Sequence, residues 1–143
     1  MARRSIVALL AGEVDQYLAC AMLQAEKGMV IMPDVVIAEV VGWQKPPQGH
    51  VEWRERKLPV LDLSGVDQRV CIIVCHAVHR PEQEFFAMAV KTLPRMLRIS
   101  VDDMKSVDAQ LVYSWQRSWV TVDGRRMILP DFQKIEDKII QGE

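Results

Sequence analysis

Seven prolines and seven glycines are scattered along the chain and cut its apolar residues into many short segments. Proline cannot donate to a β-ladder and glycine weakens a strand interior, so both collect at turns and strand ends. Punctuation at this density leaves little room for long helices and favours short strands joined by turns, as in an all-β domain. With 143 residues, half of them hydrophobic and 26% charged, the chain is globular in composition. Its length suits one domain, or two small subdomains around a common core.

Eighteen Lys and Arg against nineteen Asp and Glu leave a formal charge of -1. That balance argues against bulk electrostatic capture of nucleic acid or anionic membrane, while leaving room for a local patch. No apolar run approaches the length of a membrane-spanning helix. The apolar stretch Ile6 to Ala11 is short and is followed by Glu13 and Asp15, so the opening is expected to be mature sequence rather than a signal peptide. Three cysteines without a framework of short spacings suit a reducing compartment, and the expected location is the cytoplasm.

Along the chain, Leu10, Val14, Tyr17, Leu18 and Ala21 recur at helical spacing after Ser5, which predicts a helix over about residues 5–17. Leu18 to Leu23 and Met29 to Met32 flank Glu26-Lys27-Gly28 as a hairpin, and Val35 to Val41 is a β-branched run holding one carboxylate, Glu39. Gln44 to Gly49, with two prolines, is a loop. A charged strand is expected over Val51 to Lys57 and an apolar one over Leu58 to Leu63. Arg69 to Val78 reads as a strand buried on both faces, and Phe85 to Leu93 as the next strand. Ser100 to Met104 suits a short helical turn capped by Ser100, and Leu111 to Ser114 another strand. Asp123-Gly124 between Trp119 to Val122 and Arg125 to Leu129 is the clearest hairpin, because Asp-Gly suits a two-residue turn at positive φ. A final helix follows Pro130, with Phe132, Ile135 and Ile139 on one face, Asp131 at its start and Gly142 at its end. The sum is roughly eight to ten strands and one or two helices, and such a chain commonly protects its strand edges by closing into barrels.

Few residue groups carry chemistry. Cys71-x3-Cys75-His76-x2-His79 has zinc-ligand types, but in a strand Cys71 and Cys75 stand about 13 Å apart while His76 points to the other face. Core thiols and strand-end histidines are the plainer reading, and Cys75-His76 diverge too much for a nucleophilic dyad. Asp102-Asp103 suits the start of a turn better than an acid/base pair. The glycines stand alone, with no phosphate-binding loop. Neither a metal nor another cofactor is expected, and the chain does not read as an enzyme. Trp43, Trp53, Trp115 and Trp119 divide between core and contact surface, with Trp43 and Trp53 flanking the Pro-rich loop ahead of Arg54 and Arg56. Glu39 and Arg54 are charges within strand-like segments and would form a cross-strand ion pair if those strands are neighbours.

The order of these elements resembles the CheW-like coupling domain. Val36-x2-Glu39-Val40-Val41, the Pro-containing loop and Gly49 to Leu63 with its Leu58-Pro59-Val60-Leu61-Asp62-Leu63 segment match that family's run. Phe86 to Val90 through Ile99, and Val122-Asp123-Gly124-Arg125 through Phe132, are similar to its later segments. The resemblance covers residues 20–140. The Pro33 to Val41 opening and Leu129-Pro130-Asp131 are most similar to the ChpC-like and PilI-like branch of type IV pilus and twitching-motility chemosensory systems. The resemblance implies a single CheW-like domain over residues 1–143, with 1–18 as an N-terminal segment of uncertain role, folded as two intertwined five-stranded SH3-like barrels. It implies a chemotaxis-type signal-transduction adaptor without catalysis or cofactor, coupling the regulatory domain of a CheA-type histidine kinase to the cytoplasmic tip of a chemoreceptor. It involves no nucleic acid, membrane insertion or small-molecule substrate. Glu39 and Arg54 are carried over as the charged pair near those contacts, with Trp53, Glu55 and Arg56 beside them. Two departures lie at this surface: Glu55 stands where the family has glycine, and the loop before Gly49 is shorter than usual. The competing reading is a small β-barrel binding single-stranded nucleic acid through Arg54, Arg56, Lys57, Arg125, Arg126 and exposed rings.

Overall fold

The structure, a computed structural model, describes residues 17–140. Within them the chain forms β1 (Tyr17–Ala25), β2 (Gly28–Pro33), β3 (Ile37–Gln44), β4 (His50–Trp53), β5 (Arg56–Asp62), β6 (Val70–His76) and β7 (Phe85–Val90). Then follow β8 (Arg95–Ser100), β9 (Met104–Val107), β10 (Gln116–Val122), β11 (Arg125–Pro130) and one helix, α1 (Phe132–Ile140). Short 3-10 turns at Asp34–Val36 and Val101–Asp103 join β2 to β3 and β8 to β9.

The strands pair into a six-stranded sheet, ordered β8-β1-β2-β11-β10-β9, and a five-stranded sheet, ordered β3-β6-β7-β5-β4. The chain starts the first sheet, builds the whole of the second, and returns to finish the first, so the two lobes are intertwined. β2 and β11 pair in parallel through Val30 and Ile128, joining the start of the first sheet to its end.

Side-chain alternation explains how these sheets pack. In β6, Val70, Ile72 and Val74 point into the interior of the second lobe, while Cys71, Ile73 and Cys75 point the other way. β7 divides likewise, with Ala87 and Ala89 inward and Phe86, Met88 and Val90 on the opposite face. In the first lobe, Cys20 and Met22 fill the interior, whereas Ala21, Leu23 and Ala25 face outward from it. These outward faces meet in a third, shared core that also takes Trp115, Trp119, Ile128 and Ile135. Strands buried on both faces need apolar residues at every position, and Val70 to Cys75 supplies them without a break. The lobes also exchange backbone hydrogen bonds, Glu26 N–H to Leu63 O at 2.7 Å and Lys91 N–H to Gln24 O at 3.0 Å. Gly65, at φ 66, passes so close to Glu26 that a Cβ would collide with its carboxylate.

Several expectations need correction. The helix over about 5–17 lies outside the described residues except at Tyr17, which together with Leu18 and Ala21 belongs to β1. The single strand expected over Val51 to Lys57 is a hairpin, because Arg54 and Glu55 take positive φ and reverse the chain. Leu111 to Ser114 is a loop, since the buried Gln116 side chain accepts the Val112 N–H and the Gln116 N–H bonds Tyr113 O. The strand from Phe85 ends at Val90, leaving Leu93 exposed. Ser100 precedes a 3-10 turn without a side-chain cap bond. Among the described residues the strands number eleven rather than eight to ten, and the first sheet has six strands rather than five because β9 adds an edge. The final helix, by contrast, begins as its sequence indicates: Asp131 Oδ1 accepts the Lys134 N–H at 3.1 Å, and Phe132, Ile135 and Ile139 pack on the shared core.

Candidate partner-binding site

The β4–β5 hairpin projects from one edge of the second sheet. Its two turn residues sit at φ 52 (Arg54) and φ 62 (Glu55), a left-handed reversal that matches strand twist but normally selects Gly, Asn or Asp. β3 lies at the opposite edge of the same sheet, so it is not a ladder neighbour of β4. The sheet nevertheless curls until Arg54 Nη2 stands 3.0 Å from Glu39 Oε1. The ion pair thus spans the closing seam of a barrel, where a pair across adjacent strands was the expectation. Trp53 Nε1–H donates to the same Glu39 oxygen at 3.2 Å, and the Arg54 guanidinium lies 4.8 Å over the Trp53 ring. Trp53 is itself buried at 9% exposure, so its indole is fixed within the second core and fixes Glu39 in turn. The Arg54 side chain remains 71% exposed. An ion pair this open adds at most about 1 kcal/mol to stability, so folding alone gives little reason for it.

The arrangement continues past those residues. Trp53 packs edge-on against Phe85 at 4.9 Å, and the Arg56 guanidinium covers Phe85 at 5.2 Å. Arg56 Nη1 pairs with Glu84 at 2.7 Å, and its Nη2 donates to Gln83 O at 3.3 Å. Glu84 is a third non-glycine residue at positive φ, at 70°. Three such residues therefore adjoin Trp53 and Phe85 in the chain, whose rings meet edge to face, and backbone held in sparsely populated conformations clusters at binding sites. The result is a surface of alternating charge, Glu39, Arg54, Glu55, Arg56 and Glu84, on a Trp53–Phe85 base. Its paired donors and acceptors stay open to solvent, with the Arg54 side chain the most exposed of them. Sequence reading missed Glu84 and Phe85, whose only signal was a charged turn placed before an apolar strand.

The other candidates are dispersed. Cys71 and Cys75 lie in the shared core, and burial pushes both thiols up from their ordinary value. His76 is exposed and packs on Phe85 at 5.4 Å, and His79 is exposed in the β6–β7 connection. Among the described residues no three His, Cys, Asp or Glu side chains are grouped to hold a metal. Asp102 and Asp103 are exposed in a 3-10 turn. Trp115 and Trp119 are buried, and Trp43 is 41% exposed beneath Arg69. Arg125 and Arg126 lie on the first lobe, on the β10–β11 hairpin, away from the β4–β5 turn. No described helix is long and apolar enough to cross a membrane.

No family model matches the sequence, and no curated protein matches it. Among solved structures, the scaffolding protein TtCheW from Thermoanaerobacter tengcongensis is similar, with a TM-score of 0.58 and 14% sequence identity. The match covers 79% of this chain and 88% of that one. At such identity the likeness is one of architecture, and it agrees with the two-lobed topology: the chain has a CheW-like, mainly β fold.

Proposed function

We propose that the chain is a non-catalytic coupling adaptor that binds the regulatory domain of a CheA-type histidine kinase and the cytoplasmic tip of a chemoreceptor. The observation that carries this reading is the exposed Glu39–Arg54 pair, braced by Trp53 and held outward by a left-handed turn on a CheW-like fold. Such a surface suits weak, exchangeable docking, in which rim charges set orientation and a few anchored aromatic and arginine groups supply affinity. Glu55, in place of a turn glycine, adds a charge where a partner would meet the hairpin. Resemblance of the Pro33 to Val41 and Leu129 to Asp131 segments supports a pilus-type chemosensory system as the setting.

The nucleic-acid reading has less support. Arg54 and Arg56 are paired to carboxylates, and three of the four tryptophans, Trp53, Trp115 and Trp119, are buried, which leaves Trp43 as the exposed indole for stacking on bases. The test is to mix the purified chain with a CheA-type regulatory domain and compare it with Arg54→Glu. The reading expects an interaction that the variant loses while keeping its thermal transition. A variant that binds unchanged would remove the hairpin tip from the interface.

A further inference from the structure

Among the described residues Glu136 is the one carboxylate buried completely, at 0% exposure, midway along α1. Burying a carboxylate is costly unless hydrogen bonds replace its water, and here three consecutive backbone amides do so. Val78 N–H donates to Oε2 at 2.9 Å, His79 N–H to both oxygens at 3.0 and 3.2 Å, and Arg80 N–H to Oε1 at 2.7 Å. The amides belong to the β6–β7 connection, whose Val78 and His79 side chains face solvent while the backbone turns inward. Beside them Arg80 Nε and Nη2 reach Asp137 Oδ1 at 3.1 and 3.0 Å. The helix therefore grips this connection twice, through Glu136 on its main chain and through Asp137 on the Arg80 guanidinium.

The connection leads directly into the partner-binding surface. Arg80 O accepts the Gln83 N–H at 2.9 Å, Pro81 O accepts the Glu84 N–H at 3.1 Å, and Ala77 N–H donates to Glu84 O at 2.9 Å. Gln83 O then receives Arg56, and the Glu84 carboxylate pairs with the same guanidinium. Glu136 is thus three hydrogen bonds from Arg56, through Arg80 and Gln83, and the strained Glu84 follows Gln83 directly in the chain.

We infer that Glu136 is a positioning residue for the partner-binding surface: its buried carboxylate fixes residues 78–80 so that Gln83, Glu84 and Phe85 hold Arg56 beside the Arg54 hairpin. This rests on the adaptor reading only for the word partner, since the geometry of the surface can be measured without one. A carboxylate is needed because it only accepts. Glutamine keeps one acceptor oxygen and turns two N–H donors toward amides that are themselves donors.

The test is Glu136→Gln in the full chain, followed by amide hydrogen exchange and by the NMR signals of the Arg56 Nε–H and Trp53 indole N–H. Exchange at Val78, His79 and Arg80 should quicken by roughly tenfold or more. The signals of Gln83, Glu84, Phe85, Arg56 and Trp53 should move, while the β10–β11 hairpin stays unchanged. If only residues 78–80 respond, or none do, Glu136 merely fastens the helix and the inference fails. Should Glu136→Gln not fold, Asp137→Asn is read in the same way, with smaller shifts expected at Gln83 to Phe85 and at Arg56. Unmoved signals there overturn the inference. Binding of a CheA-type regulatory domain forms a separate arm. If the unaltered chain does not bind, the adaptor reading falls while the spectra still decide the role of Glu136.

Discussion

Arg54 and Glu55 make the same left-handed reversal, at φ 52 and 62, that Asp123 and Gly124 make at φ 51 and 78. Only the second turn was legible in the sequence, because Asp-Gly belongs to the small set of residues that accept positive φ and Arg-Glu does not. Of the two hairpins, the strain is therefore greater in the one that carries the candidate site. Glu55→Gly should raise stability to urea unfolding by about 1 kcal/mol, since glycine enters this conformation without the Cβ penalty and offsets only part of the gain through backbone entropy. A lowered midpoint would mean that Glu55 makes a compensating interaction. The buried thiols give a second expectation. Burial raises the folded-state pKa of Cys20, Cys71 and Cys75 above the ordinary 9.0. A group that keeps its proton longer folded than unfolded contributes stability fully at pH values below its ordinary pKa and loses it as pH rises further. Burial raises the Tyr113 phenol as well, with the same sign. The melting temperature should therefore fall as pH rises above about 9, less steeply in Cys75→Ala. A flat profile to pH 11 would contradict this.

At the scale of elements, α1 has two faces with different origins. Phe132, Ile135 and Ile139 are legible from helical spacing, and the helix packs them on the shared core. Ile135 is fully buried, so Ile135→Ala should cost about 2–5 kcal/mol in urea unfolding. Ile139 is only partly buried, and truncating it should cost visibly less. Equal costs would show that the helix packs differently. Glu136 was not legible. On a helical projection it falls between Phe132 and Ile140, at the border of the apolar face, where its neighbours give no sign of what it bonds, and its amide partners lie at residues 78–80, 56 to 58 positions away. β9 was missed for a related reason: Met104-Lys105-Ser106-Val107 has exposed Lys and Ser at its centre and no alternation to mark it, and only pairing to β10 makes it a strand. The Val51 to Lys57 segment hid its hairpin in the same way, through turn chemistry that its residue types do not announce.

For the molecule as a whole, the shared core decides how the lobes behave. Phe86, Met88, Ile73 and Cys75 from the second sheet pack with Leu23, Val30, Met32 and Ile128 from the first, so neither lobe keeps its outer face buried without the other. Unfolding should be one cooperative transition, with hydrogen exchange in β1 and in β6 opening at the same free energy. Two separated transitions would mean that the lobes fold independently. The buried run of β6 and the Asp-Gly hairpin were readable from local pattern, and with them the mainly β class. The seam that brings β3 to the β4–β5 turn was not, because it depends on how far a five-stranded sheet curls. That seam makes Glu39, Arg54 and Trp53 one unit, and a unit can be tested by its non-additivity. The direct measurement is calorimetric titration of a CheA-type regulatory domain with the unaltered chain, Glu39→Ala, Arg54→Ala and the double variant. Micromolar binding is expected, weakened roughly tenfold by either single change and little further by both together. No binding by the unaltered chain, or full affinity in both single variants, would contradict it.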